Sequence, residues 1–135
     1  MEESQSYSLG KSDRLKSRKE IDILFKYGKK ITHLPFRLLY NIEYGNEKIK
    51  AGFTVSSKNF PRAVDRNRIK RLCRESYRLN NQELKARFLV NHKQAFLFFI
   101  YTDKEILSFD RISQSVKQIL DKLIRITQVE NAENS

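Results

Sequence analysis

The residues with the clearest chemical character in this chain are cationic and nearly consecutive. From Asp65 to Arg78 the sequence reads DRNRIKRLCRESYR, with Arg66, Arg68, Lys70, Arg71, Arg74 and Arg78 set against only Asp65 and Glu75. At about 100° per residue, Ile69, Leu72, Cys73 and Ser76 fall on one narrow stripe, and Asn67, Lys70, Arg71, Arg74 and Arg78 gather on the opposite side. Arg66, Lys70, Arg74 and Arg78 also follow one another at i+4, a row that repels itself unless a polyanion lies on it. Five of these six cations are Arg, whose planar fork can grip phosphate with two hydrogen bonds and stack on bases. The chemistry on offer is capture of a polyanion, and the plain alternative is a soluble basic face.

Residues for covalent chemistry are scarce. His33 and His92 are the only histidines, lie in different segments, and sit in no nucleophile or metal motif, so both read as exposed loop residues. No close Asp/Glu cluster suits several divalent ions, and no Cys/His pair has metal-ligand spacing. The single cysteine, Cys73, falls on the apolar stripe and reads as a core thiol, compatible with a reducing cytoplasm. The residues therefore assign no catalytic and no metal-binding role to this chain.

Charge places the basic segment in context. The 135 residues carry a formal charge of +11, yet residues 1–13 and 127–135 are each −2, leaving +15 between them. Such a field implies nucleic acid or an anionic membrane as partner. A membrane is the weaker choice: the longest apolar run, Ala95 to Tyr101, is too short to span a bilayer, and the stripe opposite the charges is too narrow to insert. No signal-peptide pattern precedes Ser12.

The elements that must position the cations can be read in order. Residues 1–13 are polar and expected to be a disordered arm. Ser17 and Glu20 form a capping box, Ile21, Leu24 and Phe25 a helical stripe, and Gly28 a stop. Phe36 to Tyr44 alternates, with Phe36, Leu38 and Tyr40 on one face and Arg37, Leu39 and Asn41 on the other. Gly45-Asn46 followed by the alternating Ile49, Ala51, Phe53 and Val55 predicts a hairpin. After the basic helix come a short helical turn from Gln82 to Phe88 and the doubly apolar strand Ala95 to Tyr101. A final helix carries Phe109, Ile112, Val116, Ile119, Leu120 and Leu123. The order α-β-β-α-β-α predicts a single-domain α+β sandwich over residues 14–126, with a disordered tail over 127–135.

Arg66-Asn67-Arg68-Ile69-Lys70-Arg71 followed by Arg74 resembles the RNR signature of the bacterial ribonuclease P protein component, and the resemblance extends over about residues 14 to 126. It implies a ribosomal protein S5 domain 2-like fold with a left-handed crossover, where general topology favours a right-handed one. It also implies an accessory subunit that binds ribonuclease P RNA and the 5′ leader of precursor tRNA in the cytoplasm. The RNA would be the catalyst of the endoribonuclease and hold the magnesium ions, with no cofactor on the protein alone. By position, Arg66, Asn67, Arg68, Lys70, Arg71 and Arg74 form the motif face, and Arg78 extends it. Phe25, Tyr40 and Lys58 match the leader cleft, although by themselves Phe25 and Tyr40 read as core. Ile21 stands where the family commonly has an aromatic, and the Phe60-Pro61-Arg62 loop departs from the pattern. The alternative function is a non-catalytic structured-RNA-binding or ribosomal-type protein using the same helix.

Overall fold

The computed structural model describes the backbone of residues 13–15 and 17–134, with side chains as far as Gln128. The elements are α1 (Arg18–Tyr27), β1 (Lys29–His33), β2 (Phe36–Tyr44), β3 (Ile49–Val55), α2 (Ala63–Asn80), α3 (Gln82–Asn91), β4 (Lys93–Tyr101) and α4 (Phe109–Asn134). The strands form one sheet in the order β1-β2-β4-β3. β4 runs antiparallel to β2 and parallel to β3, and β1 closes the other edge against β2.

The predicted hairpin between β2 and β3 is not formed. β4 lies between them, pairing Leu38 with Phe99 on one side and Ala51 with Leu97 on the other. The cause is visible in composition: β4 is apolar on both faces and excludes water best in the middle of the sheet. The Gly45–Lys48 segment instead steps across the start of β4, where the Gly45 amide donates to the His92 carbonyl at 2.9 Å and the Ala95 amide to the Lys48 carbonyl at 3.0 Å. β1 was not expected at all. It is a five-residue edge strand with one buried side chain, Ile31, too short to show an alternation.

Most of the core lies on one face of the sheet. Phe36, Leu38 and Tyr40 of β2, Ala95, Leu97, Phe99 and Tyr101 of β4, and Ile49, Ala51 and Val55 of β3 meet Ile69, Cys73 and Tyr77 of α2. The stripe Ile112, Val116, Ile119, Leu120 and Leu123 of α4 completes this layer. Asn80 ties the two helices together by donating from Nδ2 to the Ser113 hydroxyl at 3.0 Å. Among the described residues, the opposite face is covered by α1 and the segment before it, in a smaller cluster of Leu15, Leu24, Leu39 and Phe98.

The ends differ from the sequence-based boundaries. α4 continues to Asn134, and Thr127, expected in the disordered tail, is buried with its hydroxyl donating to the Leu123 carbonyl. Apart from Asp13, the arm expected over residues 1–13 lies outside the described residues. α3 runs on to Asn91 and ends at His92, whose left-handed φ of 55° closes the helix. Ser17 caps α1 by accepting from the Glu20 amide at 3.3 Å, and the Gly28 amide ends it on the Leu24 carbonyl.

Candidate nucleic-acid interface

α2 docks by one side, burying Ile69, Cys73, Ser76 and Tyr77, which fixes where its cations stand. Asn67, Arg68 and Arg71 are exposed, while Arg66, Lys70, Arg74 and Arg78 are half-buried on the flanks. The helix therefore presents a broad basic surface. Its cations do different work, however. Arg66 donates from Nη1 to the Phe60 and Pro61 carbonyls at 2.8 and 2.7 Å, so part of its fork anchors the loop before the helix. Arg78 leans back to Glu75 at 2.8 Å, which neutralises part of its charge within the protein. Arg68 stands about 120° around the helix from Arg74, so the two cannot serve one narrow contact line.

Arg74 is half-buried close to other cations. Burial, reinforced by the nearby cations Arg14 and Arg71, pushes its pKa below the ordinary arginine value. An arginine in such a place remains charged. The position of Arg14 was not legible in the sequence. Arg14 bridges to Ala51, and the Leu15 amide donates to the Ala51 carbonyl at 3.0 Å, so this short segment adds to the β3 edge beside α2. Gly52 permits the approach: a Cβ there would stand 2.8 Å from the Leu15 carbonyl oxygen. A two-residue pairing leaves no periodic signal, which is why sequence reading misses it.

The loop leading to α2 is held rather than loose. The Ser56 hydroxyl accepts from the Lys58 and Asn59 amides at 3.1 and 3.4 Å, and Phe60 is buried beside Tyr101 with ring centroids 6.2 Å apart. Lys58 projects from this loop as an exposed cation. Within Phe60-Pro61-Arg62, Phe60 plugs the core and its backbone carbonyl accepts from Arg66.

On the other face of the sheet, Phe25 is 56% exposed and meets Phe98 edge-on, with centroids 5.9 Å apart. Its ring is thus propped on the sheet and open to solvent. Ile21 is half-buried in the same small cluster. Tyr40 does not join them. It is 5% exposed and belongs to the large core under α2 and α4, because alternate residues of a strand point to opposite faces. Its assignment to a cleft with Phe25 is therefore corrected: the neighbouring Leu39 is the β2 residue on that face.

The two histidines are far apart. His33 sits where β1 pairs with the Phe36 end of β2, and His92 adjoins the opposite end, where Tyr44 pairs with Lys93. His92 Nδ1 lies 2.6 Å from the Glu47 carboxylate. Among the described residues no group of His, Cys, Asp and Glu could hold a metal ion, and no helix is long and apolar enough to cross a membrane.

Similarity to known proteins agrees with this geometry. The family model described as Ribonuclease P matches residues 9–124. The ribonuclease P protein component of Porphyromonas gingivalis is 34% identical over 123 residues, covering 90% of this chain and 88% of its own. That of Chlorobium phaeobacteroides is 30% identical over 134 residues, covering 90% and 91%. The RNase P protein from Thermotoga maritima aligns in three dimensions with a TM-score of 0.65 at 25% identity, over 81% of this chain and 96% of that one. The Staphylococcus aureus RNase P protein shares the fold with a TM-score of 0.60 at 21% identity, over 84% and 96%. With a basic α2 on a mixed four-stranded sheet and sequence similarity along most of its length, the chain belongs to the ribonuclease P protein component family.

Proposed function

We propose that this chain, a subunit of ribonuclease P in tRNA processing, works by holding two RNA elements on two sides of one sheet edge. The catalytic RNA lies against Arg71, Arg74, Arg14 and the exposed Asn67 and Arg68. The 5′ leader of precursor tRNA runs past Lys58 and onto the Phe25 side of α1. The observation that carries this reading is that one small sheet carries both the exposed Asn67, Arg68 and Arg71 of α2 and, on its other face, a Phe25 ring that the fold leaves open. Phosphates satisfy the first and unstacked bases the second, a combination suited to single-stranded RNA.

In this reading the protein contributes binding and orientation. Bidentate arginine contacts fix phosphates in register. Phe25, already propped on Phe98, offers a stacking edge that needs no base identity. The RNA subunit supplies the chemistry with magnesium ions, in the cytoplasm, and the chain's own residues hold the leader away from the scissile bond. Leu39 takes the place expected of Tyr40 as part of the apolar floor.

The test is cleavage of precursor tRNA by a bacterial ribonuclease P RNA at low magnesium, with the protein alone as control. Stimulation only when the RNA is present is the expected result. Cleavage by the protein alone would place the chemistry in this chain. Tight binding to unrelated structured RNA without any stimulation would favour a general RNA-binding protein of ribosomal type.

A further inference from the structure

α1 divides its face of the sheet in two. Glu20 and Phe25 stand about 140° apart around the helix, with the docked residues Leu24 and Ile21 between them. Phe25 overhangs Phe98, whereas Glu20 overhangs the beginnings of β3 and β4 on the other side. There a cavity of about 220 Å³ is lined by Glu20, Asn46, Lys48, Lys50, Gln94 and Phe96. It shares none of its lining with the proposed leader surface.

Its walls are held in place. The Gln94 amide is fixed at both ends: Oε1 accepts from the Asn46 amide at 3.1 Å, and Nε2 donates to Glu43 at 3.1 Å. Asn46 Oδ1 accepts from the Lys48 amide at 3.1 Å, and the His92–Glu47 contact pins the loop from outside. The Gln94 side chain lies close over Gly45, in space that a Cβ there would claim, so a side chain at that position would push Gln94 aside. A rim fixed before a ligand arrives keeps the ordering cost of binding low.

The chemistry of the lining is specific in kind. Phe96 is a half-buried ring with Lys50 Nζ standing over it, 5.9 Å from its centroid, so a planar group that stacks there takes the place of that ammonium. Lys48 is exposed and has no ion pair among the described residues, so its charge is available to an anion. Glu20, 3.8 Å from Lys50, brings an acceptor to the same space, as a ribose hydroxyl requires. A ring, a cation and a carboxylate around a volume that suits one base match the three parts of a ribonucleotide.

We infer that the cavity between α1 and the starts of β3 and β4 is a second RNA site, taking one unpaired ribonucleotide with its base on Phe96, its phosphate on Lys48 and its 2′-hydroxyl on Glu20. It is separate from the Phe25 surface and does not need the leader to lie there. RNA held on both sides of α1 is bent around that helix.

The experiment is an NMR titration of the full chain with a mixed-sequence six-nucleotide RNA, its 2′-deoxy counterpart and AMP. The RNA should shift the Asn46, Lys48 and Phe96 amides. Lys48→Gln or Phe96→Leu should weaken that response about tenfold, and Phe96→Leu keeps an apolar side chain against the core. The deoxy strand should respond severalfold more weakly. RNA that moves Phe25 signals while these amides stay still would overturn the inference and leave the leader reading intact. Equal responses to AMP and RNA would assign the cavity to a free nucleotide and overturn the RNA source. Responses at the cavity with none at Phe25 would support the inference and count against the leader reading.

Discussion

The two faces of the sheet are built from the same three long strands and put to different uses. Beneath α2 and α4, alternate residues from Phe36 to Tyr101 interlock in a closed layer in which Phe99 meets Phe36 edge to face at 5.7 Å and stacks on Phe53 at 5.1 Å. Beneath α1, four buried residues hold a ten-residue helix and leave Phe25 and the Phe96 cavity open beside it. Most of the buried packing lies on the first face, and the open aromatic surface on the second. A single strand can serve both because its side chains alternate, so the face that binds can change without disturbing the one that folds.

The sharpest way to break this comparison is to truncate one residue on each face. Phe99→Ala should cost about 3–5 kcal/mol and Leu39→Ala about 2–3 kcal/mol in urea denaturation, since the smaller cluster can relax toward solvent. Equal losses would remove the distinction. The closed face should also respond to alkali. Burial pushes the Cys73 thiol from its ordinary 9.0 to about 12. The folded state thus keeps a proton that the unfolded chain releases, and stability is fully present below pH 9 and lost as pH rises toward 12. The slope is about 1.4 kcal/mol per pH unit from this group. Burial likewise raises the Tyr77 pKa and adds in the same direction. Cys73→Ala should flatten the curve measured by denaturation across that window.

Binding variants should show the converse pattern. Replacing Arg71 and Arg74 together by Ala should weaken RNA-subunit binding at least tenfold and lower the salt dependence by about two phosphate contacts. Folding stability should change little, because Arg71 is exposed and Arg74 stands on the flank of α2. Phe25→Ala should reduce the preference for precursor over mature tRNA about tenfold with little change in melting. The smallest effect belongs to Tyr40→Phe, which should leave that preference unchanged because Tyr40 lies under α4; a loss comparable to Phe25→Ala would restore it to the cleft.

Local patterns carried much of this into the sequence. The contiguous Arg66–Arg74 run, the Ser17 cap, the Phe36–Tyr44 alternation and the heptad-like stripe of α4 are properties of neighbours within a turn or two, and each appears where expected. What was illegible depends on partners far apart in the chain. Gly45-Asn46 carries the residues of a tight turn, yet the pairing is decided by β4, some fifty residues later. Arg14 joins the basic face only through Ala51. Tyr40 and Leu39 are neighbours, and the identity of the inward face depends on what covers each side. Arg66 and Arg78 look equivalent to Arg71 in the sequence, but their carbonyl and carboxylate partners are visible only once the chain has folded.

The middle position of β4 has a consequence for how the molecule is made. On the ribosome, α1, β1 and β2 emerge first, followed by β3 and α2, but β2 and β3 have no common partner strand until residues 93–101 leave the exit tunnel. Until then β2 and β3 both present unpaired edges, and the basic helix has only part of its support. The last strand works as a keystone, so RNA that needs α2 seated on a finished sheet can be recruited only after β4 has emerged.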